Sequence, residues 1–367
     1  MNQIQPPTSQ TAPAIFVRDT NTNNYNQQTQ ITCKLLSHSL LVFLTLVILI
    51  FSNQTLANPA LKFSSIISSD LAVARFELTR QGRGSGNVVQ GACEVQSENA
   101  LYTVHRRGKP EQVFINKYNL SGPVVQTSYR WTKNGSFALG HQGISVENSV
   151  EGVHFWTSAS RSYPNGANYV IRFEIKEDEN DPQNLLVKNL EYFKVWAGKR
   201  GGGSTTPTIS SDGKFLIVKL YDKSTNSITH VRGLSLKALI LGGAGDYTDD
   251  VYTTFAFSTD KKLITGKGYP LQAMASDGKH IYMVSGFGNN GAPVRLAKYD
   301  FQGNLIGYTA NLRTGRSMSE RDGKGPRTKY EPEGLYISTL NNNQRLALVI
   351  ASGDKGARVA RVWYLGG

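Results

Sequence analysis

The stretch PTISSDGKFLIV, Pro207 to Val218, returns as QAMASDGKHIYMV, Gln272 to Val284. Each copy opens on a short phrase, turns at Ser-Asp-Gly-Lys and runs into apolar, β-branched or aromatic residues. Three looser copies share the phrase. They are Gln90-Gly91-Ala92-Cys93 ahead of Leu101–Val104, Gln142-Gly143-Ile144-Ser145 ahead of Val153–Trp156, and Glu333-Gly334-Leu335-Tyr336 ahead of Leu346–Ile350. A polar residue or proline comes first, then a small residue, then a mostly apolar one. The five phrases start 52, 65, 65 and 61 residues apart. That period suits four-stranded β blades with loops. The apolar runs are short and closed by Gly and Asn turns, which argues against helical repeats.

Working outward, Leu71–Leu78 alternates as a strand does. Blade one runs from Gln90 to Ser128, with Gln112–Tyr118 as its third strand. Blade two starts at Gly140 and continues through Tyr169–Ile175 into a charged loop, Lys176–Asp181. Blade three follows the Gly-rich turn Lys199–Gly203 and has Ile228–Arg232 as third strand. Blade four runs from Tyr269, with strand Val294–Asp300, a turn at Asp300–Gly303 and outer strand Asn304–Tyr308. Blade five, from Tyr330, has residues for only three strands, ending in Val359–Leu365. Leu71–Leu78 can supply the fourth and remove an exposed edge. The expected fold is an all-β, five-bladed β-propeller closed between its N- and C-terminal strands.

The chain ahead of the repeats is of another kind. Residues 1–34 are rich in Gln, Asn, Thr and Pro and are expected to be disordered. Leu40–Phe51 is apolar but short of the roughly 20 residues of a membrane span. Thr55-Leu56-Ala57 then fits the small-residue pattern of signal cleavage. The expected organisation is a signal peptide over 35–57, a linker over 58–70 and the propeller over 71–367, in a secreted or periplasmic protein. No stable membrane span is expected after cleavage; an uncleaved anchor is the alternative. Cys33 goes with the leader, leaving Cys93 without a disulfide partner, as a small buried apolar residue.

The whole chain carries a net charge of +13. Loss of residues 1–57 removes Arg18, Lys34 and Asp19 and leaves +12. The balance points to acidic partners, or simply to solubility.

Candidate binding residues follow from the repeat. The first strand of each blade lines the axis, so Gln90, Gln142, Gln272 and Glu333, with His141 and Glu331 nearby, gather at one mouth. There they meet a ligand, or else bond neighbouring blades. His141, Glu331 and Glu333 are plausible ligands for a structural cation; no other cofactor is expected. Two carboxylates in one loop, Glu331 and Glu333, are weak grounds for catalysis. The segment Arg313–Lys329, RTGRSMSERDGKGPRTK, leads into blade five. Its Arg313, Arg316, Arg321 and Arg327 suit phosphate or carboxylate oxygens, against the alternative of a solvated loop. Trp131, in a polar connecting loop, is the best candidate for an exposed sugar platform. Neither a P-loop nor a Gly-x-Ser-x-Gly elbow occurs.

Leu139–Ser145 with Val153–Thr157, Gln272–Val284 and Tyr330-Glu331-Pro332-Glu333-Gly334-Leu335 together resemble one β-propeller family. It takes in the teichoic-acid biosynthesis protein C group, a staphylococcal phage receptor-binding protein and helveticin J-type bacteriocins. The resemblance covers Leu71–Leu365; blade three departs from it, with Pro207-Thr208 in place of the polar-Gly pair. It implies five blades that recognise a cell-envelope polymer. The leading expectation is a secreted binding protein for an anionic cell-surface polysaccharide or teichoic-acid-like polymer, bacteriocin-like in action, monomeric and without a nucleic-acid partner. The alternatives are a phytase- or lactonase-like hydrolase and an extracellular scaffold or adhesion module.

Overall fold

The structure, a computed structural model, describes residues 74–78, 88–107, 112–121, 125–132, 139–149, 152–159, 168–197, 205–222, 227–250, 253–255, 271–286, 293–316, 330–340, 343–353 and 359–365. All belong to the unit Pro59–Gly367. The expected lead, signal peptide and linker lie outside them.

The chain opens with β1 (Ala74–Leu78). Blade I is β2 (Val88–Val95), β3 (Ala100–Arg107), β4 (Gln112–Asn119) and β5 (Val125–Thr132). Blade II is β6 (Leu139–Ser149), β7 (Gly152–Ala159), β8 (Tyr169–Asp178) and β9 (Asp181–Lys194). Blade III is β10 (Thr205–Ile209), β11 (Phe215–Asp222) and β12 (Ser227–Ser235). A helix, α1 (Leu236–Gly242), and a short β13 (Gly245–Asp246) then lead to its fourth strand, β14 (Thr253–Phe255). Blade IV is β15 (Leu271–Ser276), β16 (His280–Ser285), β17 (Val294–Asp300) and β18 (Leu305–Leu312). Blade V holds β19 (Tyr330–Ser338), β20 (Arg345–Ser352) and β21 (Val359–Leu365), and β1 completes it antiparallel to β21. All five phrases fall on inner strands and all five apolar runs on second strands. The inner strands β2, β6, β10, β15 and β19 touch in that cyclic order, and β19 returns to β2.

No single core fills this ring. Five apolar clusters lie between successive blades: I–II, II–III, III–IV, IV–V and V–I. Second strands are therefore buried on both faces, which is why they read as unbroken apolar runs. In β11, Leu216, Val218 and Leu220 face blade II while Ile217 faces blade IV. Cys93 packs between blades I and II at 3% exposure. Burial, helped by Glu94 beside it, pushes its thiol pKa well up, so it remains an unreactive wall atom.

Two expectations fail here. Lys176–Asp181 is not a loop. β8 runs to Asp178, and a two-residue turn returns the chain at Asp181, because Glu177 pairs with Leu185, which is buried against blade I. The backbone of Trp131 lies in β5, paired with Val113, rather than in a connecting loop.

The fourth strand of blade V contributes Leu78, 5% exposed, to the V–I cluster. We expect Leu78→Ala to lower unfolding free energy by about 2–4 kcal/mol in denaturant titration. A change as small as a surface substitution's would show that β1 does not close the ring.

Candidate functional site

The ladders of the inner strands break at the repeated phrase. In blade I, Val89 pairs with His105 and Gly91 with Val104, so Gln90 has no opposite residue. The same skip isolates Gln272 between Leu271 and Ala273, and Glu333 between Pro332 and Gly334. Each first residue is thus a β-bulge, which frees its side chain from the ladder and re-aims it. Blade II slips further, between Leu139 and Ile144. Blade III has no break: Pro207 sits in register opposite Val218. Where proline replaces the polar residue, the bulge is gone.

The bulges bring the predicted residues together in pairs across blade boundaries. Gln90 Nε2 donates to Glu333 Oε2 at 2.9 Å, linking blades I and V. Gln272 Nε2 donates to Glu331 Oε1 at 3.1 Å, linking IV and V. Glu333 is 3% exposed, so these contacts fasten the ring. The backbones of His141 and Gln142 lie on β6, but their side chains fall outside the described residues. So do Arg321 and Arg327.

Beneath these pairs the axis is almost closed. A Cβ built on Gly91 would lie 2.7 Å from Gly143 Cα, backbone on backbone. One on Gly143, whose φ is +76°, would lie 2.7 Å from Thr206 Cγ2. The remaining axial void is about 10 Å³, the size of a single water. The mouth is therefore a floored recess and not a channel.

The basic segment is described only over its first turn. Arg313 is exposed and Arg316 half-buried. The turn they share is held to blade V. The Tyr330 hydroxyl donates to the Thr314 carbonyl, and Gly315, φ +72°, lies against the Trp363 ring, which a Cβ would strike at 2.5 Å. Among the described residues, no group of three His, Cys, Asp or Glu is placed to hold a metal ion.

Sequence reasoning missed Lys219. It lies in β11 opposite Thr206, 2% exposed, with Nζ donating to the Leu271 carbonyl at 3.1 Å, beside Gln272. Burial pulls its pKa down to about 7. A lysine interrupting the apolar run Phe215–Leu220 was the available signal, since lysine is rarely fully buried.

A sequence model described as the phage 5-bladed β-propeller receptor-binding platform domain matches residues 88–364. The tail fiber of Staphylococcus aureus phage P68 superposes with a TM-score of 0.55 at 18% identity, covering 81% of this chain and 53% of that one. An exo-β-1,3-galactanase from Phanerochaete chrysosporium gives 0.42 at 10% identity, covering 80% and 64%. An α-L-arabinofuranosidase from Lactobacillus brevis gives 0.43 at 10%, covering 76% and 91%. The chain thus spans less than two thirds of the first two. The tail fiber and this chain share a fold. No curated protein sequence matches.

Two measurements follow from this geometry. Gly91→Ala has backbone in its way and nothing flexible to move; we expect a loss of about 1–3 kcal/mol in denaturant titration. Equal stability would mean that the inner strands are further apart. Lys219 is neutral in the folded chain above about pH 7, yet protonated in the unfolded chain up to its ordinary value. Between those limits the unfolded state binds the extra proton, so stability rises with pH. Lys219→Met removes that rise and is more stable than the natural chain at pH 6–7, with the gap narrowing towards pH 10. Parallel stability–pH curves for the two would refute this account.

Proposed function

The chain belongs to the phage five-bladed β-propeller receptor-binding platform family, and from that premise we propose that it binds an anionic glycan of the cell envelope. The ligand sits at the mouth where the inner strands begin. One observation carries this reading. The segment Arg313–Lys329, with four arginines, ends directly before Tyr330, where the inner strand of blade V starts, and its first turn is fastened to the ring.

The floor of the recess supplies rigidity and the basic segment supplies charge. Guanidinium forks give paired, charge-assisted hydrogen bonds to phosphate or carboxylate oxygens. A polymer that repeats such groups meets several arginines at once, and each release of one contact is followed by recapture. The net charge of +13 raises the local concentration of a polyanion before contact. Export with cleavage after Ala57 is part of the same proposal; N-terminal sequencing of secreted material should begin at or near Asn58, and intact intracellular protein would contradict it.

The binding test is a charge deletion. Replacing Arg313, Arg316, Arg321 and Arg327 together by Gln should weaken binding to a phosphate-bearing envelope polymer by about 10-fold or more. Affinity of the natural chain should fall steeply as salt rises. Wild-type affinity in the quadruple variant, with no dependence on salt, would remove the anionic ligand from this mouth.

A further inference from the structure

The other end of the axis is built differently. Beyond Ile144, Thr208 and Leu335, which also line the axial void, the inner strands open into a cavity of about 300 Å³. Its walls are the ends of the inner strands of blades I, II, III and V, the turns after them, and α1. Gln96, Asn148 and Asp212 stand exposed on its rim, so it meets solvent. Strand ends and well-packed turns make it, so it exists before any ligand arrives, which limits the ordering cost of binding.

Its chemistry is the reverse of the basic segment. Among the described residues the lining includes Glu94, Glu147 and Asp212, and no Lys, Arg or His. An anion is repelled there. The carboxylates are nevertheless engaged by the wall. Glu147 accepts from Arg172 at 3.0 and 2.8 Å and from Trp156 Nε1 at 2.8 Å. Glu94 accepts from Tyr336 at 2.8 Å, from Ser338 at 2.6 Å and from the Tyr364 hydroxyl. Asp212 accepts from Ser210 at 2.6 Å and has Lys214 Nζ at 3.4 Å. The oxygens of these acids are taken up by donors in the wall, which leaves few of them to accept from a cationic ligand. The rest of the lining is divided between hydroxyl and amide groups and aliphatic side chains, among them Ile209, Ile240 and Ile337.

A sugar ring has that same division, with hydroxyls at its edge and C–H groups on its face. The volume lies at the small end of ligand pockets and accommodates roughly one or two rings. We propose that this mouth is a second binding site, for an uncharged, hydroxyl-rich sugar unit, separate from the anionic ligand of the opposite mouth.

The test titrates the full chain with a panel of neutral mono- and disaccharides, with choline as an organic cation and with inorganic phosphate, by saturation-transfer NMR and calorimetry. Neutral saccharide should bind without salt dependence; phosphate and choline should give no signal at this cavity. Asn148→Trp on the rim and Ile240→Trp on α1 should each weaken saccharide binding by about 10-fold or more. The four-arginine variant should leave it unchanged, so failure of either site is read separately. A photoreactive sugar on the natural chain should label peptides around Gln96, Asn148 and Thr339, a readout that needs no variant to fold. The proposal is overturned by no saccharide bound at tens of millimolar, by preference for choline, by label elsewhere, or by folded tryptophan variants that bind as the natural chain does.

Discussion

Everything in this molecule depends on how closely the inner strands approach one another. Gly91 lies against Gly143 with no room for a methyl group between their backbones, and a Cβ on Gly334 would be 3.3 Å from Ala92 N. Strands that meet so tightly cannot leave a pore, and their blades must splay outward and pack face to face. The apolar side chains consequently divide into five layers between blades rather than one centre. The polar clasps Gln90–Glu333 and Gln272–Glu331 are consequences of the same crowding. In both clasps the donor, Gln90 or Gln272, is a side chain released from its ladder by a bulge.

Much of this was legible in the sequence because each blade repeats the same local demands. The phrase requires a polar bulge and then a small residue at the axis. Ser-Asp-Gly-Lys requires a tight turn, and Asp277 meets it by accepting from the backbone of Lys279 and His280. Three strand patterns after Tyr330 left a place that Leu71–Leu78 could fill, and β1 fills it. What the repeat does not contain was missed. Residues 236–246 carry no copy of the repeated phrase. They form α1, capped by the Ser235 hydroxyl, and β13, which pairs with blade II through Phe193 and Lys194. That detour is decided by tertiary contact, since Tyr247 packs on Phe193 with ring centroids 5.8 Å apart.

The candidate site was only half legible for the same reason. Its polar residues recur and so stand out, but their partners depend on which ladder breaks, and Pro207 shows that not every ladder does. Lys219 belongs to one strand and no pattern. The cavity at the far mouth draws on the ends of four blades, and no motif joins Glu94, Glu147, Asp212 and Tyr336 along the chain. The result is a protein with two unlike ends. One carries the clasps Gln90–Glu333 and Gln272–Glu331, and the other is lined by acids that accept from internal donors.

The closure of blade V sets a timetable for synthesis. β1 precedes every blade along the chain, yet its partner β21 is the last strand among the described residues. The Tyr364–Glu94 bond joins residues 270 apart. Neither contact can exist until the strands of blade V have been made, and contacts this distant in sequence form slowly. Blades II to IV can assemble on the ribosome, but the V–I layer cannot, so the nascent chain remains an open arc with one apolar face uncovered. Such an arc is open to misassociation through that face until β21 is released.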